Sequence, residues 1–249
     1  MDARRLEHPE AARPTEGDLR LLVGVDERDL APVALDVDLE PHLLVFGDSG
    51  SGKSTVLRTY LHEVLRTRTA DQAQVVALDY RRSLLGETPD DYLLHYLTSA
   101  GQAGPAVAEL ARYLEQRLPG PDVTTEQLRE RSWWSGAEAF VLVDDYDLVS
   151  TQQGSPLAPL VPLLPQARDI GLHLVVARRS GGASRALFEP VIQSLRDLAM
   201  PGLLLSGSPD EGPLIATTKP QPGPAGRGRL VTRDRGVEVV QTAWTAPRG

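Results

Sequence analysis

The stretch HLLVFGDSGSGKST, His42 to Thr55, decides the fold. His42 to Phe46 is a short apolar run bounded by Pro41 and Gly47, the pattern of a strand buried on both faces. Gly47, Asp48, Ser49, Gly50, Ser51, Gly52, Lys53 and Ser54 then fit the Gly-x-x-x-x-Gly-Lys-Ser spacing of a phosphate-binding loop, with Thr55 completing it. From Lys53 to about Arg66, residues Val56, Leu57, Tyr60, Leu61, Val64 and Leu65 recur at helical spacing. Strand, glycine loop and amphipathic helix in this order are the context that phosphate binding requires. The glycines let the backbone curl so that successive N–H groups point inward, and the helix N-terminus adds positive potential. Lys53 is expected to reach the outer phosphates of ATP, Ser54 to ligate magnesium, and Thr55 to support the α-phosphate side.

A second element lies downstream in FVLVDDYD, Phe140 to Asp147. An apolar strand ending in Asp places a carboxylate beside the loop, where it orients magnesium through the metal's water shell, and Asp144 is that residue. Asp145 follows where many hydrolysing members of this class carry Glu, and its side chain is shorter by one methylene. A misplacement of about 1 Å changes such a rate by on the order of a hundredfold. Asp145 is therefore a weak candidate for the catalytic acid position.

Outward from these anchors, apolar runs and helical periodicities alternate. Gln74 to Asp79, Phe140 to Val143, Leu172 to Ala177 and Leu203 to Leu205 read as buried strands. Helices are expected around Asp90 to Ser99, Pro105 to Leu118, Thr125 to Trp133 and Ala183 to Leu198, the last broken near Pro190. A helix at Leu157 to Asp169 should be kinked or divided by Pro159, Pro162 and Pro165. Leu21 to Val25 and Pro32 to Val37 form an expected hairpin leading into the core, and Arg229 to Thr232 with Val237 to Thr242 form another about Asp234-Arg235-Gly236. The fold class is α/β, a P-loop nucleotide-binding domain with a largely parallel central sheet, helices on both faces and a C-terminal β-hairpin. Residues 1–20, polar and proline-containing, read as a linker or frayed entry segment, and residues 21–249 as one domain.

Composition narrows the function classes. With 249 residues, 41% hydrophobic and 24% charged, the chain has the make-up of a globular α/β protein. A net charge of -8 opposes sequence-independent attraction to nucleic acid. The absence of cysteine excludes disulfides, thiolate metal sites and cysteine nucleophiles, and the scattered histidines predict no zinc site. No apolar run is long enough to cross a bilayer, so the chain reads as soluble and held at any membrane by other segments.

Other candidates keep two readings each. Arg178 and Arg179, at the end of the fourth buried strand, either contact a γ-phosphate or are exposed strand-end arginines. Asp79, Arg81 and Arg82 follow the second strand on the ligand side of a parallel sheet, or form an exposed ion-pair cluster. Trp133 and Trp134 either pack a corner between elements or line a docking surface.

Together PHLLVFGDSGSGKS, DYRRSLLG, WWSGAEAFVLVDDYDLV, DIGLHLVVARRSGG and PGLLLSGSPDEGPL resemble the FtsK/SpoIIIE family of ring-forming motor ATPases. More narrowly they are similar to the EccC ATPases of type VII secretion systems, and among those tandem domains to the last, the third. The resemblance spans about Leu21 to Thr245. It implies a RecA-like P-loop NTPase core with ATP and magnesium as cofactors, and Lys53, Ser54 and Asp144 at the phosphate and magnesium positions. It implies a cytoplasmic domain at the cytosolic face of the inner membrane, working with other ATPase domains of one machine. Its partners would be secreted helical proteins carrying a C-terminal signal. Two departures bear on hydrolysis: Asp145 replaces Glu, and Arg178-Arg179 stand where DNA-pumping members end the strand in Thr-Gln. The leading expectation is a nucleotide-holding recognition domain with little hydrolysis. The alternatives are an actively hydrolysing motor moving protein or DNA, and a small-molecule kinase whose acceptor pocket and lid find no counterpart in the sequence.

Overall fold

The structure is a computed structural model that describes residues 18–151 and 154–248. Residues 1–17 of the expected entry segment lie outside the described residues. In chain order the strands are β1 (Leu21–Asp26), β2 (Pro32–Leu35), β3 (His42–Phe46), β4 (Ala73–Leu78), β5 (Leu93–Leu97), β6 (Glu138–Val143), β7 (Leu172–Arg178), β8 (Gly202–Leu204), β9 (Arg227–Thr232) and β10 (Gly236–Thr242). The helices are α1 (Lys53–Thr67), α2 (Ala100–Glu115), α3 (Thr125–Glu130), α4 (Tyr146–Val149), α5 (Ala167–Ile170), α6 (Ala183–Ala186) and α7 (Pro190–Asp197).

All ten strands join one sheet in the order β2-β1-β10-β9-β8-β3-β7-β6-β4-β5. The run from β8 to β5 is parallel, whereas β9, β10, β1 and β2 pair antiparallel to their neighbours. Side chains of a strand alternate between faces, so β3 supplies both halves of the core. Leu43 and Val45 pack with Val56, Leu57, Tyr60 and Leu61 of α1, while Leu44 and Phe46 pack on the other face with α2 and α7 through Leu110, Leu114, Ile192 and Leu195. All five residues of β3 are buried, as a central parallel strand requires. No helix among the described residues is long and apolar enough to cross a membrane.

One expectation needs correction. The segment Asp90 to Ser99, read from sequence as helical, carries β5 instead, paired in parallel with the open edge of β4. Tyr92 and Tyr96 decide it: their hydroxyls donate to Arg68 O at 2.8 Å and to Asp79 Oδ2 at 2.6 Å, anchors that an extended backbone presents to its neighbours. The proline-interrupted stretch is divided as expected: a 3-10 helix, Ala158–Gln166, with Pro162 and Pro165 inside it, precedes α5. Proline withholds the N–H of a regular α-helical ladder, and the apolar face closes instead through Leu160, Leu163 and Leu164. The N-terminal hairpin forms as expected: β1 pairs with β10 at the margin of the sheet, and Leu21, Val23, Val33 and Leu35 join the core with Leu43 and Val45.

Candidate nucleotide site

The glycine loop crosses from β3 to α1 and its shape follows from its residues. Gly50 and Gly52 have φ of 75° and 105°, a region that side-chain-bearing residues rarely adopt. Gly47 serves a different need, because a Cβ there would stand 2.3 Å from Ser51 Oγ and 2.9 Å from Leu205. The loop is anchored from outside by Asp48 N to Ser206 O at 2.7 Å and by Gly226 N to Ser51 O at 2.8 Å. The backbone N–H groups of Ser49, Gly50, Gly52, Lys53, Ser54 and Thr55 have no protein acceptor among the described residues. Converging amides at a helix start make a nest for phosphate oxygens. Lys53 is buried, and its ammonium donates to the Asp48 carbonyl at 3.2 Å, which keeps the charge at the loop.

Asp144 emerges from β6 on the face that holds α1, and Ser54 Oγ donates to its Oδ2 at 2.6 Å. Burial pushes the Asp144 carboxyl above its ordinary range; the Ser54 bond opposes this, and the nearby carboxylates of Asp145 and Asp79 add to it. A buried carboxylate that is hard to ionise alone, paired with a hydroxyl, is a donor set suited to a small hard cation such as magnesium.

Asp145 takes the left-handed conformation, φ 45° and ψ 56°, at the start of α4. Its N–H donates to Asp144 Oδ1 at 3.0 Å, and its carboxylate is paired with Arg81 Nε at 3.0 Å. Of the other candidates, Asp79 is buried and accepts from Leu84 N and the Tyr96 hydroxyl, so it shapes the loop after β4. Arg179 is half-exposed and paired with Asp147 at 2.9 Å. Arg178 lies on the opposite sheet face from Asp144, with Val176 and the α2 side of the core. Trp133 and Trp134 donate to Arg117 O and Asp169 O, each at 2.7 Å, and the Arg117 guanidinium stacks 4.1 Å over Trp134. They pack a corner. Sequence reading missed the partnership of the phosphate loop with Ser206 and Gly226; the density of proline and glycine from Pro209 to Gly228 marked a turn-rich segment but not its destination.

Fold and site together define a P-loop NTPase with a RecA-like core. The chain belongs to the FtsK/SpoIIIE family, matching it over residues 4–200. It is 51% identical over 227 residues to the ESX-4 secretion system protein EccC4 of Mycobacterium tuberculosis, covering 91% of this chain and 18% of that protein. To the ESX secretion system protein EccC of Thermomonospora curvata it is 48% identical over 238 residues, covering 95% and 18%. The chain thus spans less than a fifth of the length of these relatives. Among solved structures it superposes with a TM-score of 0.91, at 47% identity, on Thermomonospora curvata EccC (ATPases 2 and 3) in complex with a signal sequence peptide, covering 98% of this chain and 43% of that one. The cytoplasmic domain of the type VII secretion ATPase EccC of the same organism gives 0.89 at 47% identity, covering 94% and 27%.

Proposed function

We propose that residues 21–249 act as one ATPase domain of a type VII secretion machine, most like the third in its tandem series, that holds Mg-ATP with little hydrolysis and recognises the C-terminal signals of secreted helical proteins. The observation that carries the nucleotide part is the 2.6 Å bond from Ser54 to the buried Asp144 beside a ring of unpartnered loop amides. In this reading the amides and Lys53 hold the phosphates. Ser54 ligates magnesium directly and Asp144 acts through water. When bound, magnesium would supply neutralisation of phosphate charge, with Ser54 and the Asp144 carboxylate holding it. Calorimetry with Mg-ATP tests the assignment: micromolar or tighter affinity, lost in Lys53→Ala, supports it, and no heat of binding by the intact chain rejects it.

Weak hydrolysis rests on Asp145, which is short for a catalytic acid and whose carboxylate is engaged by Arg81. For a phosphate-water reaction a base must face the attacking water, and a carboxylate committed to a guanidinium is a poor one. Two observations support the tail-recognition part: the likeness to the Thermomonospora curvata EccC that was solved with a signal sequence peptide, and an apolar recess of about 280 Å³ at the opposite end of the sheet from the glycine loop. Met200, Ile215, Val231 and Leu44 line the recess, with Arg196 and Arg233 at its border. A short amphipathic helix sets spaced apolar anchors into such a recess. Titration with a secreted partner's tail peptide, and with that peptide's anchors changed to Ala, decides it. Equal binding of the two peptides removes the recognition role. Other ATPase domains of the same protein and a membrane complex reached through other segments complete the proposed setting, on the cytoplasmic side.

A further inference from the structure

Two of the three tryptophans have bonded indoles and a packing role at one corner. The third differs: Trp244 is 49% exposed, and its indole N–H has no partner among the described residues. The backbone around it is nevertheless held firmly. Ala243 N donates to Val23 O at 2.9 Å, and Ala243 O accepts from the Thr59 hydroxyl at 3.3 Å. Thr245 shares a hydroxyl bond with Thr59 at 2.9 Å and accepts at its carbonyl from Arg58 Nη1 at 3.4 Å. Further on, Arg248 N reaches Glu87, which also holds Arg58 and His62 of α1. The segment is a strap across the outer face of the helix that follows the glycine loop, and the two residues flanking Trp244 are the ones fastened to it.

The strap is also tied to the loop itself. Thr242 N donates to Gly226 O, and Gly226 N donates to Ser51 O, each at 2.8 Å, so two backbone bonds separate the strap from the phosphate cradle. Thr55 and Thr59 are i and i+4 on α1, one turn apart on the same face. The strap therefore crosses one turn below the α-phosphate end of the loop. The opposite, magnesium end faces Asp144 on β6, and β6 and β10 lie on opposite sides of β3 in the sheet. A nucleotide bound with its outer phosphates toward Asp144 would carry its ribose and base toward the strap, where the half-exposed Trp244 stands between two residues whose backbones are hydrogen-bonded.

We propose that Trp244 is the stacking platform for the nucleobase, an assignment that rests on the nucleotide reading above. An aromatic face stacks on a base without reading its edge, and the ring loses little freedom because its backbone is already fixed. The test measures affinities of the 249-residue chain for Mg-ATP and for magnesium tripolyphosphate, which has the phosphates and no base. Trp244→Ala should weaken ATP about tenfold and leave tripolyphosphate within about twofold. Trp244→Phe should recover most of the loss, and ATP should quench the emission of the wild-type chain more than that of the Phe variant. ATP binding unchanged in Trp244→Ala overturns the inference while leaving the nucleotide reading intact. So does a parallel loss of ATP and tripolyphosphate, which marks a disturbed loop. If the wild-type chain binds neither ligand, the nucleotide reading itself fails and takes this inference with it.

Discussion

Arg81 Nε lies 3.0 Å from Asp145 Oδ2, so the loop after β4 engages the carboxylate next to the buried Asp144. The pairing is possible because β4 and β6 are neighbours in register, with Leu78 opposite Val143. Asp145 reaches it from a left-handed backbone that few side-chain-bearing residues adopt outside functional or turn positions. The Arg81 side chain is 60% exposed, so this is a screened contact whose importance lies in orientation more than in stability.

If Asp145 is held away from catalysis, turnover of the isolated chain is slow, and Asp145→Ala changes it by less than about threefold while leaving ATP affinity in place. Phosphate release under saturating Mg-ATP measures both. Rapid turnover that disappears in Asp145→Ala would establish Asp145 as a sufficient catalytic acid and favour an active motor.

If Ser54 ligates magnesium as proposed, removing its hydroxyl takes a ligand from the metal as well as a donor from the buried Asp144 carboxylate. Hydrogen bonds to charged groups contribute about 1.5–3 kcal/mol, so Ser54→Ala should weaken Mg-ATP by roughly tenfold to a hundredfold. Binding of ATP with excess chelator should change far less. Equal losses with and without magnesium would show that Ser54 is not at the metal.

Arg58 of α1 and Glu87 form a buried pair at 2.7 Å, with side-chain exposures of 10% and 1%, and Glu87 also takes the N–H of Arg248 and the His62 ring. Leaving one partner of a buried pair alone costs about 3–5 kcal/mol. Glu87→Ala should lower urea stability by that order, whereas Arg58→Met combined with Glu87→Leu should be less damaging than the single change. Additive losses would mean that the pair is not coupled.

Two groups at the start of the parallel strands, the buried His42 and the partly buried Glu138, predict acid sensitivity. Burial pushes His42 down from 6.5 to about 3, with His173 adding to the effect; its Nδ1 accepts from Leu174 N at 3.0 Å and requires the neutral ring. Burial raises Glu138, but the His173 hydrogen bond and the charges of Arg68 and Arg131 outweigh it and bring the group from 4.5 to about 2. In both cases the unfolded chain binds more protons, between pH 6.5 and about 3 for His42 and between 4.5 and about 2 for Glu138, so stability falls as pH falls. The His42 contribution is fully present above pH 6.5 and declines below it by at most about 1.4 kcal/mol per pH unit. His42→Asn keeps an acceptor near the Leu174 N–H without the titration and should flatten the profile between pH 6.5 and about 5 in urea unfolding. An unchanged slope would assign the acid loss elsewhere.

Local chemistry determined much of this protein in one dimension. His42 to Thr55 encodes a strand, a loop that only glycine can bend, and an amphipathic helix, each within a few residues of the groups that cause it. The same holds for Asp144 at the end of an apolar run and for the hairpin turn at Asp234-Arg235-Gly236. Tertiary structure alone decided what depends on partners far along the chain. Asp90 to Ser99 became a strand because β4 offered an open edge, a long-range hydrogen-bonding opportunity that outweighs a local helical tendency. Arg81 found Asp145 because β4 pairs with β6, and the end of β10, two residues before Trp244, is tied to the glycine loop because Gly226 bridges Thr242 to Ser51. Periodicity records which face of an element is apolar; it does not record which element will cover it, since that is selected by the packing of the whole sheet.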